Sequence, residues 1–309
     1  MTQGRPVAGH RLLGPCMAFG LIVAAACTPP DRPIQLLPSA AAALAAPDSA
    51  RSLRVSEGLR YRFLWMHEGP WAIHLLEIDL GRCELGLSVL RGATAPSAGS
   101  GLARVSEMVE RAGPSVLAAV NGDFFTPEGW PLGTDISGGS VRRVRSRPAL
   151  AWAPGRDPWI GAVEVEDGMV HVGRAVAVGA PPKELEVIGG FPELLDGGSP
   201  PGDNESVARS SFATTRHPRT AVAFDTDARV VWMIVVDGRQ GSYSAGMTLS
   251  ELTEVLLALG ADEAINMDGG GSSVMVIGGR LTSRPSDAEG ERRVANALAV
   301  THDRGRCDS

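Results

Sequence analysis

The chain has 309 residues, 44% of them hydrophobic, enough for one large core or two small ones. Its 29 Lys and Arg against 35 Asp and Glu leave a net charge of −6. That balance moves to about −8 without residues 1–26, which hold Arg5 and Arg11 and no acid, and it excludes nucleic acid as an expected partner.

Residues 1–26 read as an export signal: Arg5, His10 and Arg11 precede an apolar stretch from Pro15 to Ala26 that is too short for a permanent membrane span. Val23-Ala24-Ala25-Ala26-Cys27 resembles a bacterial lipoprotein cleavage box, with Ala24 where leucine is preferred, so Cys27 is the expected lipidation site and the cell envelope the expected location. The alternative is plain secretion with cleavage near Ala46. Residues 27–52, rich in Ala, Pro and Ser, read as a flexible tether. The remainder, 53–309, reads as a single domain. If Cys16 leaves with the signal and Cys27 is lipidated, Cys83 and Cys307 remain. An even pair in an oxidising compartment predicts a disulfide, two unrelated thiols being the alternative.

Alternation and apolar runs predict strands at 60–66, 72–80 and 84–91, then a helix at 101–112 with Leu102, Val105, Met108 and Val109 on one face. A buried strand from Ser115 to Val120 runs into Asn121-Gly122-Asp123-Phe124-Phe125. Residues 126–210 are rich in Gly and Pro, with short strands such as Trp159 to Glu166, and read as loops and hairpins rather than a separate domain. The apolar strand Arg229 to Val236 ends at Asp237-Gly238-Arg239. Thr248 and Glu251 form a capping box with Met247 and Leu252 as the staple. The helix they start stops at Gly260, and the strand Glu263 to Asn266 delivers Asp268.

Strand, helix, strand over about 229–268 predicts one βαβ crossover, placing Asp237 and Asp268 at strand ends on one edge. The predicted class is therefore α+β, mixed sheets with flanking helices. Helix, Gly113, strand, Asn121-x-Asp123 parallels helix, Gly260, strand, Asn266-x-Asp268; such a diverged repeat brings both motifs to one cleft. Gly269-Gly270-Gly271, followed by Ser272, reads either as a tight turn or as a floor that lets a ligand approach the main chain. Arg219, beside Pro218 at a strand start, is a candidate fork for phosphate or carboxylate oxygens, with His217 a bystander.

Asn121-Gly122-Asp123-Phe124-Phe125 with Gly129 and Gly133, Pro218-Arg219-Thr220-Ala221, Asp237-Gly238-Arg239, Gly246-Met247-Thr248-Leu249, Asn266 through Ser273 and Arg293-Val294-Ala295-Asn296-Ala297 together resemble the phosphodiester glycosidase family over roughly 115–300. Met267 stands where that family usually has leucine. The resemblance implies hydrolysis of the bond between a sugar's anomeric carbon and a phosphodiester, and its bacterial members are often linked to exopolysaccharide or envelope glycans. Such cleavage needs a carboxylate against an oxocarbenium-like state and cations for the departing phosphate. Asp268, Asp237 and Asp123 are the catalytic candidates. Arg219, Arg239, Asn121, Asn266, Gly269, Gly270, Gly271 and Ser272 are the substrate-binding ones, with Trp130 and Tyr243 as sugar platforms. The expected partners are a glycan or sugar-phosphate substrate and the membrane that holds the lipid. No cofactor is expected. The rivals are a glycosidase for ordinary O-glycosidic bonds, a noncatalytic glycan-binding lipoprotein, and a site where Asp123, Asp237 and Asp268 hold a divalent cation such as calcium. No His/Cys spacing suggests zinc.

Overall fold

The structure, a computed structural model, describes residues 40–92, 101–154, 156–166, 169–172, 175–178, 184–202, 210–304 and 307. The expected signal segment, Cys27 and the first part of the tether lie outside these residues. Residues 40–52 do not run free as a tether: Ala40 and Ala43 are buried, and β1 (Ser49–Ser56) pairs antiparallel with β2 (Leu59–Met66). Among the described residues no helix is long and apolar enough to cross a membrane.

Three sheets carry the fold, and every paired strand in them is antiparallel to its neighbour. The first runs in the order β1, β2, β3 (Trp71–Asp79), β15 (Val230–Val236), β14 (Arg219–Asp225), β16 (Glu263–Asn266), β13 (Glu193–Leu195). The second is a five-stranded sheet of β18 (Arg280–Leu281), β17 (Met275–Ile277), β5 (Val116–Asn121), β19 (Asn296–His302) and β4 (Leu85–Arg91). The third lies within the stretch expected as loops and hairpins: β11 (Ala175–Val178), β10 (Met169–Val172), β9 (Trp159–Glu166), β8 (Pro148–Trp152), β12 (Glu186–Gly189), β6 (Asp135–Ser137), β7 (Ser140–Arg143).

The near-continuous apolar run of β15 has a direct cause, because both of its faces are covered. Val231, Met233 and Val235 join a core shared by the three sheets, together with Leu87, Val120, Leu150 and Ile188. Trp232, Ile234 and Val236 face the opposite way, into a second core formed with Leu252, Val255 and Leu256 of the helix Leu249–Leu259. A third cluster packs the helix Val105–Ala112 on the outer face of the five-stranded sheet. Met267, at the family's leucine position, is fully buried in the shared core, which a side chain of equal volume fills without a cavity.

The helix after β15 starts and stops as expected. Thr248 accepts from Glu251 N, Glu251 reaches back to Thr248 N, Met247 and Leu252 are both buried, and Gly260 closes the helix in the left-handed conformation at φ 90°. The crossover differs in one respect. β15 and β16 run in the same direction but are not neighbours, since β14 lies between them antiparallel to both. The ends still fall on one edge: Val236 pairs with Arg219, Asn266 with Ala221, and Met267 N donates to Thr220 O.

Candidate functional site

The two Asn-x-Asp strand ends meet. Asp268 N donates to Gly122 O at 2.9 Å, and Asn121 Nδ2 donates to Asp268 O at 2.6 Å. The end of β5, from one sheet, is thereby stitched to the end of β16 in another. The side chain expected to hold sugar hydroxyls is the stitch, since Asn121 Oδ1 also accepts from Thr220 Oγ1 and Val274 N. Asn266 is likewise turned inward, donating to Phe191 O and Met267 O, while its Oδ1 is buried without a hydrogen-bond partner.

Asp123 is buried, and burial pushes its carboxyl up to about 7 against the pull of Gly133 N–H, Arg147 and Phe124 N–H, with Asp268 adding to the rise. Its Oδ2 accepts from Gly133 N at 2.5 Å, and its Oδ1 is buried with no partner. A methyl group on Gly189 would stand 2.7 Å from Oδ2, so the carboxyl sits in a slot that only glycine leaves open. Asp268 is half-buried, and burial raises it to about 6, opposed by the Ser272 hydroxyl, Gly269 N–H and Arg292. Both carboxyls thus titrate near neutrality, where one can carry a proton while the other is ionised.

The glycine run is shaped on each side by a charged group. Gly270, at φ 63°, adopts a backbone state that glycine enters without strain, and a Cβ there would meet Arg239 Nη2 at 3.1 Å. At Gly271 a Cβ would overlap the Arg292–Asp287 ion pair, in which Arg292 Nη2 and Asp287 Oδ2 are 2.7 Å apart. Arg239 itself has φ 59°, a left-handed state that is uncommon for a side chain of its size, held by bonds from Arg239 N to Ala245 O and Gln240 N to Ser244 O. Its guanidinium is exposed, has no carboxylate partner among the described residues, and lies 3.2 Å from His217 Nδ1. His217 is held below the usual imidazole range by burial and by the charges of Arg219 and Arg239.

Arg219 does not serve as an open phosphate fork. It is buried, and it donates to the carbonyls of Met247, Phe212 and Thr215 at 2.8, 2.6 and 3.1 Å, stacked over the Phe212 ring. Burial and the neighbouring Arg239 lower it to about 10. Its charge still contributes to the field at Arg239, while its geometry secures the loop before β14.

Asp237 occupies a network of its own. Its Oδ2 lies 3.0 Å from His74 Nε2 and accepts from Tyr243 OH at 3.1 Å, and its Oδ1 accepts from Arg284 N at 3.0 Å. His74 Nδ1 in turn lies 2.8 Å from Tyr61 OH. Burial and the Asp237 charge push the Tyr61 hydroxyl up to about 12. Asp123, Asp237 and Asp268 consequently do not assemble three oxygens as a cation cage. Among the described residues the one close cluster of potential metal ligands is Cys83, Glu84 and Cys307, and those two cysteines form the expected disulfide. Tyr243 is half-buried with Arg284 over its ring; Trp130 is 37% exposed.

Four residues around the carboxyls carry no signal that residue-by-residue reading detects: Arg147, Arg292, Asp135 and Asn296. Asn296 Oδ1 accepts from Asp123 N and its Nδ2 donates to Asp135 Oδ2, fixing the Asp123 backbone from β19. Arg292 and Asn296 flank or lie within the Arg293–Ala297 motif, whose recurrence was their only available clue.

Residues 114–301 match the profile of a family described as phosphodiester glycosidase. The N-acetylglucosamine-1-phosphodiester alpha-N-acetylglucosaminidase of Bos taurus is 32% identical over 199 residues, an alignment covering 60% of this chain and 36% of that protein. The chain thus spans about a third of that relative's length. Among solved structures, the zebrafish N-acetylglucosamine-1-phosphodiester alpha-N-acetylglucosaminidase catalytic domain, described as auto-inhibited by its pro-peptide, superposes with TM-score 0.60 at 23% identity, covering 83% of each chain. A hypothetical protein from Synechocystis superposes at TM-score 0.64 and 19% identity over 84% of this chain and 65% of its own. Both likenesses are of fold.

Proposed function

The chain belongs to the phosphodiester glycosidase family, and from that premise we propose that it hydrolyses the bond between a sugar's anomeric carbon and a phosphodiester oxygen. The observation that carries this reading is the convergence of Asp123 and Asp268, two carboxyls raised towards neutrality at strand ends joined by the Asp268–Gly122 bond. Ionised Asp268 faces the positive charge that develops at the anomeric carbon, as nucleophile or as base toward water. The C–O bond breaks with its electron pair leaving on the phosphate. Water supplies the hydroxyl that ends on the sugar and a proton. Asp123, protonated up to about pH 7, donates to the leaving oxygen. Exposed Arg239, beside neutral His217 and above Gly270, supplies the cation for the departing phosphate in the role expected of Arg219. Asp237 holds the wall that carries Tyr243 and Arg284 and takes no part in the bond change.

A second reading has one observation in its favour. A phosphate leaves readily as an anion, whereas a protonated Asp123 would help a poorer alcohol leaving group more, as in an ordinary O-glycosidase. A panel of sugar-1-phosphodiesters and aryl glycosides separates the two. Faster turnover of the phosphodiesters is expected, and cleavage of aryl glycosides alone would sink the proposal. Binding of sugars without cleavage of either would support the noncatalytic alternative.

Export to an oxidising compartment fits the Cys83–Cys307 bridge, and a lipid on Cys27 is the proposed anchor, with an envelope glycan as the proposed source of substrate. Mass spectrometry of membrane-extracted protein should find a diacylglyceryl group on Cys27. A soluble chain beginning after Ala46 would contradict the anchor.

A further inference from the structure

Beside Asp123 runs a segment that the bond-breaking chemistry does not use: Arg142-Arg143-Val144-Arg145-Ser146-Arg147, four arginines in six residues of a chain whose net charge is −6. Backbone bonds fix its place. Gly133, whose N–H holds the Asp123 carboxyl, precedes Thr134; Thr134 Oγ1 accepts from Arg145 N at 3.0 Å and donates to Arg145 O at 3.1 Å. The arginine segment therefore lies along the strip that cups the catalytic carboxyl.

Its side chains divide into two kinds. Arg142 is structural, donating to Gly129 O and Ala295 O and sitting 3.8 Å from Asp135. Arg143 and Arg147 make no guanidinium hydrogen bond or ion pair with any described residue. Arg143 Nε is buried without a partner, and Arg147 lies 5.1 Å over the Phe191 ring. Arg145 is exposed, and its guanidinium bonds only the carbonyl of Val144. Trp130, 37% exposed, presents its ring with Arg142 and Arg143 at 5.8 and 6.0 Å from the centroid. Glu128, the acid in the same turn, is hydrogen-bonded to Thr126. Three guanidiniums with no acid in ion-pair contact therefore lie along one segment, which runs from Asp123, whose charge reaches Arg143 and Arg147, to the exposed indole that Arg143 approaches. A fold does not need that grouping for stability, since unpaired like charges repel.

We propose that this strip is an extended subsite for an anionic polysaccharide, in which Trp130 stacks on a sugar ring and Arg143, Arg145 and Arg147 meet its phosphate or carboxylate groups. The scissile phosphodiester would then belong to a glycan chain that carries further negative charges, and not to a small isolated ester. The assignment rests on the proposed function only for which chain enters the cleft. A glycan is favoured over a nucleic acid because one exposed aromatic ring, and not a row of them, accompanies the charges.

Calorimetry with the full chain tests this without turnover, so failure of phosphodiester hydrolysis and failure of this subsite give separate results. The probes are hexagalacturonate, maltohexaose as the neutral chain of equal length, linear hexaphosphate, and a single-stranded DNA hexamer. Hexagalacturonate is expected to bind at least tenfold more tightly than maltohexaose, with affinity falling as salt rises. Arg143→Gln and the exposed Arg145→Gln should each weaken it threefold or more, and Trp130→Ala about tenfold. Equal affinity for the neutral and charged hexamers, no binding of either, or no loss in any variant that retains the wild-type circular dichroism would overturn the proposal. So would tighter binding of the DNA hexamer, or hexaphosphate bound as tightly as hexagalacturonate with no effect of Trp130→Ala.

Discussion

At the scale of single residues, three aspartates that look alike in sequence divide into two raised towards neutrality, Asp123 and Asp268, and one, Asp237, locked in a hydrogen-bond network. Activity on the true substrate should trace a narrow bell against pH, with the pair titrating near about 6 and about 7. Falling pH protonates Asp268 and removes the carboxylate; rising pH ionises Asp123 and removes the proton donor. Asp268→Asn should lower kcat by about 10³-fold and Asp123→Asn by about 10²-fold with loss of the alkaline limb. Stability moves the other way. Both folded carboxyls lie above their usual value of 3.8, so the stability they contribute is complete below that pH and is lost as pH rises through about 6 and about 7. Asp123→Asn should therefore raise Tm at pH 8 and leave it nearly unchanged at pH 4, a pairing that simple misfolding would not give. The types and positions of these residues were legible in the sequence, but their partners were not. Nothing in the letters distinguishes an asparagine that binds sugar from Asn121, which binds Thr220, Val274 and Asp268, or an open arginine from Arg219, which holds three carbonyls.

Elements with strong local signals are legible in the sequence, and those dependent on distant partners are not. The capping box at Thr248, the stop at Gly260 and the doubly covered strand β15 all follow from neighbours within a few residues or from an unbroken apolar run. Of the third sheet only β9, expected as the short strand Trp159 to Glu166, was legible, because β6, β7, β10, β11 and β12 are three or four residues long and their partners are set by tertiary packing. The insertion of β14 between β15 and β16 is equally a matter of sheet order, which periodicity does not report. Thr248→Ala removes one side of a capping box and should cost about 1 kcal/mol in urea unfolding, with activity retained. Gly271→Ala forces the Arg292–Asp287 pair aside beneath the substrate, so it should reduce kcat/KM by at least tenfold with a smaller change in stability.

For the whole molecule, three sheets on one core bring β5 and β16 from different sheets to a single point, and a bridge between Cys83 and Cys307 joins residues 224 apart in sequence. Closing so long a loop stabilises by about 5 kcal/mol in the chain-entropy estimate. Reduction, or Cys307→Ser, should therefore lower Tm by several degrees, while leaving the pH profile in place because neither cysteine touches the cleft. The proposed reaction breaks the sugar C–O bond and leaves the phosphorus untouched, and hydrolysis of a sugar-1-phosphodiester in H₂¹⁸O reads this directly. The expected result is ¹⁸O on the anomeric hydroxyl of the released sugar and an unlabelled phosphate monoester. Label in the phosphate would mean attack at phosphorus and would contradict it.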